Sequence, residues 1–135
     1  MAICLIVLLG GQKEKVPSAL QIGDTIIKVE IADTEMEQAQ GLSGRESLPT
    51  NMGLLFIFEK SGKYGFWMKD MRFPIDIAWL DSDYKIVYIE TSLSPATYPK
   101  VFYPQTEARY VLEVNAGFLA SHNLVVGEVL ETKGN

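Results

Sequence analysis

The stretch TIIKVEIA, residues 25–32, sets Ile26, Lys28 and Glu30 on one side and Ile27, Val29 and Ile31 on the other. That period of two predicts a half-buried β-strand. The pattern changes in ADTEMEQAQGL, where Thr34 and Glu37 have the spacing of a capping box, the interior lacks β-branched residues and Gly41 suits a C-terminal stop. A short helix is predicted over residues 34–40. GLLFIF and YGFWMK read as further strands, and IDIAWLDSDYKIVYIET as a hairpin turning around Ser82 and Asp83. Near the end, RYVLEVN and VVGEVLE are strands flanking a short helix over residues 116–121. Seven short strands, two short helices and no long crossover helix predict a mainly β fold, a compact antiparallel β-barrel or sandwich.

One stretch breaks this simple alternation. FWMKDMRFPIDIAWLD, residues 66–81, places charges inside an otherwise apolar and aromatic run. Strand parity puts Trp67 and Lys69 on one face and Phe66 and Met68 on the other, and sets Asp76, Ala78 and Leu80 against Ile75, Ile77 and Trp79. Glu113 repeats the pattern between Leu112 and Val114, and Arg45 follows a glycine in the loop after the first helix. An isolated buried charge costs several kcal/mol, so these groups should pair or line a solvated cleft. Pro74 belongs at a strand start, which leaves residues 70–73 as a turn and predicts Lys69 and Asp76 facing each other in a salt bridge or shared polar site. Two readings follow. In one, the charges form a structural ion-pair network. In the other, Arg45, Trp67, Lys69, Asp76 and Glu113 form a ligand-binding cleft in which Trp67 stacks on a flat or ring-shaped ligand. The segment TSLSPATYPKVFYPQTEA is then either a rim or lid of that cleft, or a stiff crossover packed by its own aromatics.

Composition narrows the chemistry. The chain has 135 residues, 47% hydrophobic and 21% charged, as expected of a single globular domain. A net charge of −5 with scattered Lys and Arg disfavours nucleic acid as a partner. One cysteine, Cys4, and one histidine, His122, leave no intramolecular disulfide or zinc cluster, so no metal and no cofactor are expected. DSDYK lacks the glycine and glutamate of a calcium loop and reads as a turn. GLSG has the wrong spacing for a nucleophile elbow, and neither common phosphate-cradling glycine motif occurs. His122, before Asn123, suits a helix C-terminus better than a catalytic base.

The first fifteen residues, MAICLIVLLGGQKEK, carry an apolar run of about nine, whereas a membrane span needs roughly twenty. The layout is that of a secretory or lipoprotein signal without its leading positive charge, and Gln12 stands where a lipid-modified cysteine would be. An N-terminal strand is the alternative. Residues 1–20 are expected to be a signal-like or tethering segment and residues 21–135 one β-domain.

Four ordered motifs, GLSGRESL, NMGLLFIF, FWMKDMRFPIDIAWLD and RYVLEVNAGFLASHNLVVGE, resemble the bacterial and archaeal DUF192 (UPF0127) family over about residues 25–131. Ser43, Leu54 and the Asp70-Met71 pair differ from the commoner residues of that pattern. The resemblance implies a compact β-fold, and members that look exported or lipid-anchored support the signal reading. An exported, periplasmic or envelope-associated module is expected, non-catalytic, binding a small polar ligand such as a saccharide or cell-wall fragment, or a partner protein. The alternative is a hydrolase that uses Asp76 and Glu113 as acid and base on a glycoside-like substrate.

Overall fold

The structure, a computed structural model, describes residues 15–134. The apolar run of the expected signal lies outside the described residues. Among the described residues there are nine strands: β1 (Ala19–Ile22), β2 (Thr25–Ala32), β3 (Met52–Gly62), β4 (Phe66–Trp67), β5 (Ile75–Leu80), β6 (Ile86–Leu93), β7 (Val101–Phe102), β8 (Ala108–Asn115) and β9 (Glu131–Lys133). Two helices, α1 (Glu35–Gln40) and α2 (Phe118–Ser121), join them, with a 3-10 turn over Pro95–Thr97. Seven strands form one sheet in the order β6-β5-β8-β3-β2-β1-β9, and β4 and β7 form a separate pair.

All pairings are antiparallel except β2 with β3, which run parallel and are linked through α1 and the loop after it. That loop starts where expected. Thr34 accepts from the Glu37 amide while the Glu37 carboxylate accepts from the Thr34 amide, completing the capping box. Gly41 ends the helix at φ +50, a conformation that glycine adopts without penalty. Gln38 then ties the helix to the sheet, its side-chain amide donating to the carbonyls of Ala32 and Ile57.

The sheet does not close into a barrel, which leaves the sandwich-like alternative. The β6 edge meets the chain just ahead of β9 through the bridge between Lys85 and Val129, with backbone hydrogen bonds from Ile86 N to Glu128 O, Gly127 N to Ile86 O and Leu130 N to Tyr84 O. Each face carries its own core. One holds Leu20, Ile27, Leu55, Ala78, Leu80, Tyr110, Leu112 and Val114 beneath α2. The other holds Phe56, Ile75, Ile77, Trp79 and Val111 beneath Leu42, Leu48, Met68 and Phe102 from the covering loops. All six residues of β5 are therefore buried, and its two faces, Asp76, Ala78 and Leu80 against Ile75, Ile77 and Trp79, enter two different cores.

The hairpin turn falls on DSDYK as expected. Asp81 accepts from the amides of Asp83 and Lys85, and Tyr84 takes φ +61.

The folded domain begins earlier than the expected boundary at residue 21. β1 lies between β2 and β9, and Leu20 has no exposed surface. Leu20→Ala is therefore expected to cost about 2–5 kcal/mol in chemical denaturation. A variant starting at residue 21 should melt well below one starting at residue 15, and equal melting temperatures would return these residues to the role of a tether.

Candidate functional site

Asp76 is fully buried, and its partners are backbone amides rather than a cation. Oδ1 accepts from Ser92 N at 2.8 Å and Oδ2 from Leu119 N at 3.0 Å. The first bond holds an irregularity in the β5–β6 ladder, where Ser92 takes φ +52. The second serves the first turn of α2, whose N-cap, Gly117, has no side chain to offer. Lys69 is exposed and sits over the Trp67 ring, 5.6 Å from its centroid. The expected Lys69–Asp76 pairing is thus corrected. Lys69 lies on the surface, and the aspartate turns into the core on the α2 side.

Arg45 is placed by a contact between two of the recognisable motifs. Ser43 donates its hydroxyl to the Lys69 carbonyl at 2.7 Å, and Gly44 N donates to Asp70 O at 2.8 Å. Gly44 and Asp70 both have positive φ, so the two tight turns dock backbone to backbone. The Arg45 guanidinium then bonds Glu30 at 2.7 Å, with both side chains partly exposed. A pair this exposed contributes little to stability. Trp67, 46% exposed, leans against Tyr98 with ring centroids 5.3 Å apart. The Tyr98 segment is fastened beneath by the β4–β7 pair, Phe66 with Phe102 and Trp67 with Val101. It is a fixed wall beside Trp67.

Glu113 is on the other face of the sheet from Asp76. In register, Ile77 opposes Glu113 and Asp76 opposes Val114. Directly opposed residues project to the same face, so the two carboxyl groups enter different cores. The expected acid–base pair of Asp76 and Glu113 is not assembled, and a two-carboxylate glycosidase geometry is absent from this site.

Glu113 instead lines a cavity of about 340 Å³. Gln38, Ala39 and Gln40 of α1, with Trp67 of β4, form its mouth, and Phe56, Phe58, Tyr64 and Phe66 supply aromatic walls. These rings brace one another: Phe58 stacks on Tyr64 at 3.7 Å, and Phe66 meets Phe56 edge to face at 4.9 Å. Glu113 is 5% exposed, and its Oε2 has no hydrogen-bond partner. Burial raises its pKa from 4.5 to about 8, opposed by the attraction of Arg45. The side chain is thus chiefly a neutral acid at pH 7, able to donate a hydrogen bond into an aromatic cavity.

Of the five expected residues, the structure gathers Glu113 and Trp67 around the cavity. It sets Arg45 and Lys69 on the surface nearby and places Asp76 elsewhere. The aromatic walls were not singled out as site residues, although Phe56 and Phe58 at i and i+2, with Tyr64 and Phe66 beyond, have the spacing of a shared face. His122 caps α2, its Nδ1 lying 2.9 Å from Phe118 O. Among the described residues no group of three or more His, Cys, Asp and Glu is arranged to hold a metal.

Two stability predictions follow from these carboxyls. Asp76→Ala leaves two amides without acceptors and should cost about 2–4 kcal/mol, and the double-mutant cycle with Lys69→Met should show coupling near zero. A coupling above about 1 kcal/mol would restore the salt bridge. Glu113 has the opposite sense. Its folded-state pKa lies above the unfolded value, so the native state binds the extra proton, and stability falls as pH rises from 4.5 towards 8. At pH 7 the accumulated loss is roughly 3 kcal/mol as an order of magnitude. Glu113→Gln should therefore raise the melting temperature at pH 7 by several degrees and give almost no gain at pH 4.5. A variant no more stable than the wild type at pH 7 would contradict a buried neutral acid.

No curated protein matches the chain. Two solved structures share the fold closely. One is a Sinorhizobium meliloti 1021 protein described provisionally as a transcription regulator, with TM-score 0.80 and 26% identity, covering 90% of this chain and 98% of that one. The second is a protein of unknown function from Novosphingobium aromaticivorans DSM 12444, with TM-score 0.77 and 27% identity, covering 86% of this chain and 84% of that one. The four motifs that suggested a family all fall within the folded domain. Across residues 18–132 the chain matches the model of DUF192, Uncharacterized ACR, COG1430, and it belongs to that family.

Proposed function

We propose that this protein is a non-catalytic binding module whose aromatic cavity at Glu113 takes a small polar ligand. The observation that carries this reading is the buried carboxyl group of Glu113, which lines a cavity of about 340 Å³ and has one oxygen without a hydrogen-bond partner. A buried polar atom without a partner lowers stability, and such groups gather where a site needs them. Trp67 and the aromatic walls offer flat apolar surface, while Gln38, Gln40 and Ser43 offer polar contacts at the mouth.

A hydrolase reading loses its second carboxyl, because Asp76 faces the other core. Nucleic acid does not enter the proposal. The net charge is −5, and helices of six and four residues are too short to read a major groove in the way of a recognition helix. Export to the envelope belongs to the same reading, supported by the apolar run ahead of Gly10 and the polar stretch after it.

The test is a thermal-shift screen of saccharides, cell-wall fragments, amino acids and amines against the wild type and Ala39→Trp, which places a large side chain at the exposed mouth of the cavity. At least one class should raise the wild-type melting temperature by several degrees while leaving the variant unmoved. If no class shifts the wild type, or the variant responds equally, the cavity is not the binding site.

A further inference from the structure

We propose that the Glu113 cavity selects small organic cations, compact amines carrying a ring or other apolar body, with the ammonium group paired to the Glu113 carboxyl group. The inference rests on the binding reading above and names the ligand's charge. Three features of the cavity favour a cation over a neutral or anionic guest. Glu113, 5% exposed as a residue, brings to the cavity a carboxyl group whose Oε2 is buried without a partner, and the group is an acceptor once it ionises. The rings of Phe56, Phe58, Tyr64 and Phe66 line the same cavity, and an aromatic ring attracts a desolvated ammonium group that reaches its open face. The surrounding field is acidic, since the first turn of α1 carries Glu35 and Glu37, its last turn has no basic residue, and the chain's net charge is −5.

The charges facing Glu113 are few. β3 and β5 set Leu54 and Ile77 beside it, the cavity's other titratable wall is Tyr64, and Arg45 attracts it from the loop after α1. Arg45 is bonded to Glu30, which offsets its repulsion of an incoming cation. Lys69 lies against Trp67 and does not line this cavity.

The binding step is a proton exchange. The amine arrives as its ammonium ion, the Glu113 acid releases its proton to buffer, and the ion pair forms within the aromatic walls. Total charge is conserved, because one cation enters as one proton leaves. At pH 7 ionising the acid is a small expense, since its pKa is about 8. Affinity should therefore rise with pH up to that value, stay level only while the amine remains protonated, and fall once the amine loses its own proton.

Benzylamine, benzyl alcohol and benzoate share one ring and differ in charge, and they are the probes. Isothermal titration at pH 7 should show benzylamine binding the wild type at least tenfold more tightly than benzyl alcohol, benzoate failing to bind, and close to one proton released per benzylamine in buffers of different ionisation enthalpy. Glu113→Gln should bind benzylamine and benzyl alcohol alike, within about threefold. In the wild type, the carboxyl carbon resonance of Glu113 should titrate near pH 8 when free and below pH 6 with benzylamine, a readout that needs no variant. Benzyl alcohol binding as tightly as benzylamine, with no proton released, would overturn the cation assignment and leave the binding reading intact. If none of the three binds while a saccharide does, the cation assignment falls again. If neither these probes nor any class in the thermal-shift screen binds, both fall together.

Discussion

A strand covered on both faces has no solvent side to which a charge can be sent. β5 is in that position along its whole length, and β8 along most of it, because each lies in the middle of the sheet with a core above and below. Any ionisable group on these strands must be satisfied by the protein itself or remain neutral. Asp76 and Glu113 are the two buried charged residues among those described, one on each strand, and they meet the constraint in opposite ways.

Asp76 meets it by replacing missing backbone partners. A ladder irregularity leaves the Ser92 amide to be satisfied, and a helix of four residues capped by glycine leaves its first amides without acceptors. One carboxylate on the intervening strand serves both, so the aspartate joins β6, β5 and α2 into one unit. Glu113 has no such amides to meet. Its neighbours across the sheet are Leu54 and Ile77, and the space beyond is aromatic. Burial holds the acid protonated up to about pH 8, opposed by the attraction of Arg45. The same carboxyl chemistry ties three elements together on one face and lines an open cavity on the other.

Much of this arrangement was legible in the sequence, and the part that was not has a common physical cause. The capping box at Thr34 and Glu37, the turn at DSDYK and the α2 cap at His122 are local, decided by residues within a few positions of one another, and each falls where its spacing puts it. Parity also placed Asp76 and Glu113 correctly within their own strands. What parity cannot supply is the register between strands, and a shift of one residue would exchange the faces. The pairing of Ile77 with Glu113 separates the two carboxyls, and nothing local announces it. The Lys69–Asp76 expectation failed similarly. It assumed that two strands flanking a turn pair with each other, whereas β4 pairs with β7 and β5 with β6 and β8.

The motif order acquires a mechanical meaning from the same contacts. GLSG and WMKD are far apart in sequence but dock through Ser43 to Lys69 and Gly44 to Asp70. Asn115 at the end of β8 fastens the remainder of that loop by donating to Leu48 O. The loop carries Leu42 and Leu48 into the Glu113-side core and Gly41 against Phe56, where an added Cβ would lie 3.4 Å from the ring. It therefore forms one wall of the cavity while closing that core. A loop that must close a core and also leave 340 Å³ open beside it cannot be relaxed in either direction. Filling the cavity with larger side chains would improve packing and remove the space around Glu113. The open volume and the buried acid are two sides of one arrangement, and both lower stability on the same face of the sheet.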